Sequence, residues 1–488
     1  MGVIKKQGIQ NTIVTYFGII LGFVNLIVIQ PLFLTPEEIG LVRVLFSFSS
    51  LIAVFLPLGI GNITIKYFPR FRNPEKKHHG YFGFMLLFPV MGFLLVTALL
   101  YLTRDFFIEQ YSDQSALFVE FFDFVFPLSL FLGLINVLNI YSFSLFRTTF
   151  PSLLNDVISR VFVIAAIAAY FINLLTLDQF ILCFIFIYGF QLILLLLYIF
   201  IIDKPSLKVD FKAVKAQNLN EILQYGFLLS FAGIASLGLK YLDSIMIARY
   251  LPLAAVGIYT IAAFIPTVIE APLFALDKIA GTKISQALAV NNTKEIQEIY
   301  FKSSRYMLLV GGLLFIGINI NIHSLLSLLP PEFAKGEMVV LIISIGTFFT
   351  MAAGSNTAII FNSDKYKFGA FLLILLVVIA FISNIILIPK MGIEGAALAT
   401  AIASFIYNLL KYLFIWKQFK MQPFDFQSLK VLFVIIIVFV IGYFLPFLAN
   451  PIVTIIYKSI IVTLIYVFLS FLFKVDDELI DSAKKFFK

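Results

Sequence analysis

Cysteine is almost missing from this sequence. A single one, Cys183, occurs in 488 residues, and it lies inside an apolar run. Disulfide frameworks and cysteine-based metal sites are excluded. Charge is scarce too: Asp, Glu, Lys and Arg make up 13% of the chain, about half of the ~25% found in soluble domains. The three histidines, His78, His79 and His323, have no cluster of carboxylates beside them in sequence, so no metal site is expected. No Walker-type phosphate loop occurs, so ATP is not the expected energy source. No stretch stays polar long enough to build a water-soluble domain.

What remains is overwhelmingly apolar. Hydrophobic residues make up 61% of the chain, and the mean hydropathy is +1.03. Spans of membrane-crossing length fall near 8–34, 39–66, 80–103, 115–146, 151–172, 178–202, 219–248, 254–281, 302–329, 335–361, 366–388, 392–416, 428–449 and 451–473. The expectation is an all-α integral membrane protein of about fourteen transmembrane helices. The run after the basic start has no small-residue cleavage motif and is expected to be a retained anchor rather than a signal peptide.

Loop charge orients the chain. With the N-terminus inside, the outer segments hold only Arg104, Arg249, Lys335 and Lys390. The inner ones collect Lys5, Lys6, Arg70, Arg72, Lys76, Lys77, Arg147, Lys204, Lys208, Lys212, Lys215 and most of the later lysines. Such asymmetry places both termini in the cytoplasm and calls for an even number of helices. It also accounts for the net charge of +8, so no nucleic-acid partner is implied.

A faint repeat runs through the pattern. Leu34 and Leu251, Gly40 and Gly257, and Lys66 and Lys283 are each 217 positions apart, and Phe146 and Phe361 are 215 apart. The spacing implies two six-helix lobes in the same orientation, a parallel pseudo-twofold repeat. The expected divisions are a first lobe over 1–203, a cytoplasmic linker over 204–218 and a second lobe over 219–417. Helices 13 and 14 follow over 428–474, and a cytoplasmic tail covers 475–488.

Three segments carry a family resemblance. Asp243-Ser-Ile-Met-Ile-Ala-Arg249, followed by Val256-Gly257-Ile258-Tyr259, resembles the seventh-helix signature of polysaccharide-type flippases. Leu387 to Ala403 resembles their eleven-to-twelve hairpin, with a tight turn at Gly392 and close packing at Gly395-Ala396-Ala397. Ile140 to Arg160 is similar to their fourth-to-fifth helix connection. These Wzx-type O-antigen flippases belong to the superfamily of multidrug, oligosaccharidyl-lipid and polysaccharide exporters. The resemblance implies alternating-access transport of an undecaprenyl-diphosphate-linked oligosaccharide across a bacterial inner membrane. It implies no catalysis, a monomer, and polysaccharide polymerases as downstream partners. Lipid II flippases also have fourteen helices and place several arginines in the first lobe; Arg43, Arg147 and Arg160 with Lys66 match that in part. A multidrug-type antiporter is the further alternative, although those usually have twelve helices.

Charges inside apolar spans are costly and mark candidate sites. The basic set is Arg43, Lys66, Arg160, Lys240 and Lys278, expected to attract a diphosphate; for each, snorkelling or a local ion pair is the alternative. Lys240 is the deepest. The acidic set is Asp123, Asp243, Glu270 and Asp277. Asp243 stands three residues from Lys240, at pairing distance on a helix. Glu270 lies between Pro266 and Pro272, and prolines break the helical ladder. A carboxylate at such a break is suited to H⁺ or Na⁺ coupling; no other cofactor is expected. Asn25, Gln30, Asn62, Asn136 and Asn139 are further intramembrane polar residues. A polysaccharide polymerase is disfavoured, because the outer loop around 104–114 is short.

Overall fold

The computed structural model describes residues 2–212, 224, 226 and 238–475. Most of the expected span at 219–248 and nearly all of the expected tail at 475–488 lie outside them. Among the described residues every regular element is helical. Eleven helices among the described residues are long and apolar enough to cross a membrane, or up to twelve if the bent pair Leu253–Phe264 and Thr267–Ala289 forms one span. One of the eleven, Tyr366–Phe419, has 54 residues. At 1.5 Å per residue a straight helix of that length would be more than twice as long as a bilayer is thick, about 80 Å. It folds back instead at Gly392, where φ 62° and ψ −138° suit only glycine. Gly395 then packs against the Leu387 carbonyl, so the hairpin read from the sequence is present.

The chain divides into two compact units, Met1–Gly257 and Ile258–Lys488. The lobes inferred from the repeat meet instead in the 204–218 linker. The repeat marks equivalent segments, whereas the units follow packing. Residues 238–250 pack with the first unit: Tyr111 donates to the Ile245 carbonyl at 3.3 Å, and Ser115 to the Ala248 carbonyl at 2.7 Å.

Two spans read as continuous are broken. The second runs Pro36–Phe55 and resumes as Ile60–Phe71. Between them Pro57 lacks a donor, and Leu58 and Gly59 take positive φ (46° and 81°). The tenth runs Glu337–Ala352 and resumes as Asn356–Asn362, with Gly354 at φ 55°. The eighth bends by 48° after Phe264, next to Pro266; Pro272 sits within the following helix without interrupting it. The outer segment expected as a loop at 104–114 contains a helix, Arg104–Ser112.

The repeat has a structural counterpart in the first unit. A methyl group at Gly40 would strike the Leu253 carbonyl, and one at Gly257 would strike the Pro36 carbonyl. Both pairs map onto each other by the 217-residue offset. This is the reciprocal contact that a twofold relation imposes.

Helices Phe426–Phe444 and Pro451–Leu472 pack on Thr293–Asn319 through Leu308, Ile316, Val434, Val438, Val462 and Tyr466. The Tyr466 hydroxyl donates to the Leu309 carbonyl at 2.8 Å. One turn before Leu309 on the same helix, Arg305 donates to Asp425, which caps Phe426–Phe444 by accepting from the Ser428 amide at 2.9 Å.

Gly40→Ala and Gly257→Ala should each destabilise the purified protein, by about 1–3 kcal/mol from overpacking. Gly317→Ala, with nothing within 4 Å of the added carbon, should not. Thermal unfolding in detergent decides; equal melting temperatures for all three would refute the close approach. Burial tends to raise the Asp425 carboxyl, but the Ser428 hydrogen bonds and the Arg305 guanidinium outweigh it and hold it below its ordinary 3.8. A lowered folded value means this stabilisation is present above the ordinary value and lost as pH falls through the folded one. Melting curves from pH 6 to pH 3 should therefore fall less steeply for Asp425→Asn than for wild type. Parallel curves would remove Asp425 from the acid sensitivity.

Candidate functional site

Each unit holds one charged cluster beside an interrupted helix. In the first unit Arg43 stands on Pro36–Phe55, ahead of the break. Its Nε donates to Ser244 Oγ at 3.2 Å, and its guanidinium lies 5.8 Å from the centre of the Tyr241 ring. Lys240 Nζ lies over the same ring at 5.4 Å. Tyr241 and Ser244 are buried, and Lys240 is exposed. Phe46 packs against Tyr241 at 6.1 Å and Tyr188 at 5.6 Å. Two cations thus share one aromatic ring backed by further aromatics. Such a set can hold an anionic group while offering faces on which sugar rings stack. Asp243, half-buried, stands one turn beyond Lys240.

Arg160 is tied elsewhere in the same unit. It donates to the Gly18 carbonyl and has Asp156 and Tyr188 as electrostatic neighbours. It stands just beyond a π-helical segment, Leu154–Ile158, and the first helix carries its own π segment, Val24–Ile29. A π turn displaces carbonyls from the regular ladder. Ser159 meets the displaced Leu154 carbonyl at 2.7 Å and Gln191 Oε1 at 2.7 Å. Lys66 is exposed beyond the break in the second span, over the Tyr67 ring at 5.0 Å. Asp123 pairs with Arg104 at 3.2 Å.

The second unit assembles Glu270 and Asp277, two of the four expected acidic residues, around a lysine that loop charge alone places among the cytoplasmic cations. Lys411, 3% exposed, donates to Thr357 Oγ1 at 3.0 Å and lies 4.1 Å from the centre of the Tyr407 ring. Its counter-charges are Asp277 and Glu270. The two carboxylates are seven residues apart on Thr267–Ala289, two turns along one face. Thr357 follows the break at Gly354. There Ser304 donates to the Ala352 carbonyl at 2.6 Å, and Ser303 accepts from the Ser355 amide at 3.1 Å. Asp277 Oδ1, Asn356 Nδ2 and Asn408 Oδ1 are buried without a hydrogen-bond partner. Lys278, next to Asp277, is exposed; the 100° step of a helix turns it away from its neighbour.

Lys411 stands near the inner end of a span, where it reads as one more solvated cytoplasmic lysine. A signal was available: Tyr407, Asn408 and Lys411 form a polar i, i+1, i+4 stripe on an otherwise apolar helix.

A family model described as polysaccharide biosynthesis protein matches residues 4–275. The chain belongs to that family. No curated protein matches the sequence. Among solved structures, this polysaccharide biosynthesis protein is similar to the lipid II flippase MurJ in an inward closed conformation, with TM-score 0.72 and 17% identity over 95% of this chain and 98% of the other. It is similar to an inward-facing multidrug resistance MATE family transporter of the MOP superfamily, with TM-score 0.64 and 13% identity over 82% and 94%. The Vibrio cholerae MATE transporter VcmN in its bent form matches with TM-score 0.50 and 12% identity over 86% and 98%. The fold is that of these multi-pass membrane transporters.

Removing Lys411 leaves two half-buried carboxylates without their cation. Lys411→Met should destabilise this family member by about 3 kcal/mol, and adding Asp277→Asn should recover part of the loss. A double-mutant cycle measured by denaturation in detergent tests this. Strict additivity of the two changes would show that the pair does not interact.

Proposed function

We propose that this chain carries an undecaprenyl-diphosphate-linked oligosaccharide, an O-antigen or another polysaccharide repeat unit, across the bacterial inner membrane by alternating access. The observation that supports it best is the pairing of Arg43 and Lys240 on the Tyr241 ring, in a chain of the polysaccharide biosynthesis family. A diphosphate needs cations, and the sugars beside it need aromatic faces. The same pair disfavours a cationic drug as cargo. In this reading both termini are cytoplasmic, as loop charge requires, and a polymerase receives the product.

The second unit's cluster supplies the coupling. Glu270 and Asp277 outnumber Lys411 by one negative charge when all three are ionised. An enclosed excess of that kind is balanced by a proton or a sodium ion. Lipid II is the second reading, favoured by a likeness to MurJ that runs nearly the whole length of both chains. It shares the polyprenyl diphosphate and differs in the sugars.

Proteoliposomes loaded with labelled undecaprenyl-diphosphate oligosaccharide, or with lipid II, test these readings. Arg43→Ala and Lys240→Ala should each slow flipping about tenfold, the worth of one charged contact, with smaller effects for Lys66→Ala and Lys278→Ala. Glu270→Gln should abolish acceleration by an imposed H⁺ or Na⁺ gradient. Flipping of lipid II alone would favour the second reading, and a double Arg43, Lys240 variant with full activity would end both.

A further inference from the structure

Lys458 is the least exposed cation among the described residues. It sits on Pro451–Leu472, its side chain is 0% exposed, and its ammonium has no hydrogen-bond partner. Among the described residues no carboxylate faces it as a counter-charge. Among the described residues its one neighbour of complementary character is the ring of Phe447, whose centre lies 3.6 Å from Nζ. A lysine about 10 Å below the start of a membrane helix ordinarily extends its ammonium to the headgroups. Here the segment before the helix folds over it. Tyr457 donates to the Pro446 carbonyl, and Thr454 Oγ1 accepts from the Leu448 amide at 3.0 Å. Leaving an ammonium desolvated with a ring face as its sole partner is costly, and an anion would relieve the cost.

The surroundings say what kind of anion. Tyr443, Phe444, Phe447, Leu448, Ile452 and Ile456 are large apolar or aromatic residues exposed around this end of the helix pair. Their exposure fits acyl chains rather than water. Phe447 is itself 56% exposed, so a single ring separates the ammonium from the surface. We propose that Lys458 anchors a phosphate-binding site for the headgroup of a membrane lipid, with Phe447 as its cover. Rotation of the ring exposes Nζ, the phosphate oxygen accepts from it, and the acyl chains lie along the apolar residues named. This site is separate from the transport clusters and does not depend on which substrate is moved.

The test uses full-length, delipidated protein titrated with phosphatidylglycerol, diacylglycerol or inorganic phosphate and followed by native mass spectrometry. Wild type should retain phosphatidylglycerol and not diacylglycerol. Lys458→Met, apolar and of similar size, should weaken that binding about tenfold or more, and Lys458→Arg should keep it. Unchanged binding by Lys458→Met overturns the site. Inorganic phosphate binding as well as the lipid would make the ligand a free ion and overturn the lipid assignment. Should Lys458→Met not fold, amine labelling of wild type decides. Phosphatidylglycerol should protect Lys458 and diacylglycerol should not; equal labelling overturns the proposal.

Discussion

A backbone amide or carbonyl freed inside an apolar medium cannot be left to water. That constraint governs where this chain can depart from the regular helix. The break at Gly354 is tolerable because Ser303 and Ser304, on the neighbouring helix, meet the Ser355 amide and the Ala352 carbonyl. The π segment at Leu154–Ile158 is tolerable because Ser159 meets the displaced Leu154 carbonyl. At these two departures hydroxyls meet the backbone, and once a polar pocket of this kind exists, charges cost less there than elsewhere in the span. Thr357, just past the break, accordingly receives the Lys411 ammonium.

The helices were legible because membrane spans announce themselves by length and composition. The hairpin at Gly392 was legible because only glycine takes its backbone angles. The breaks were harder to read. Pro57-Leu58-Gly59 and Gly354-Ser355 are breakers in the sequence, but their neighbours are apolar, and hydropathy averages over them. Glycine and proline also occur within intact helices here, as Pro272 does inside Thr267–Ala289. What separates the cases is how the freed groups are met: by the chain's own turns at residues 57–59, and by Ser303 and Ser304 of a neighbouring helix at Gly354.

The sites were half legible for a related reason. A charge in a span is visible in the sequence, but its partner is chosen by packing. Arg43 and Lys240 meet at Tyr241 across 197 positions of sequence. Arg160 looked equally suited to phosphate, yet it donates to the Gly18 carbonyl on the first helix, a contact that no spacing rule supplies. Lys411 was hidden by the opposite error. Its place near the inner end of a span suggested a solvated cation, whereas the polar stripe it shares with Tyr407 and Asn408 turns inward.

The two clusters differ in kind, and the backbone packing of the chain does not dictate that difference. The reciprocal packing of Gly40 and Gly257 constrains backbone alone, because a contact between an α-carbon and a carbonyl makes no demand on side chains beyond their absence. Side chains facing the interior are then free to specialise. One cluster pairs cations with aromatic rings, and the other places two carboxylates against one lysine. The first suits an anion carried with its sugars. The second suits a small cation, since adding one positive charge brings it to neutrality. The acidic cluster is built beside the interruption at Gly354, where backbone angles can change at a few residues while the flanking helices move as rigid pieces. The interruptions that make room for charge are therefore also the natural places for the chain to bend.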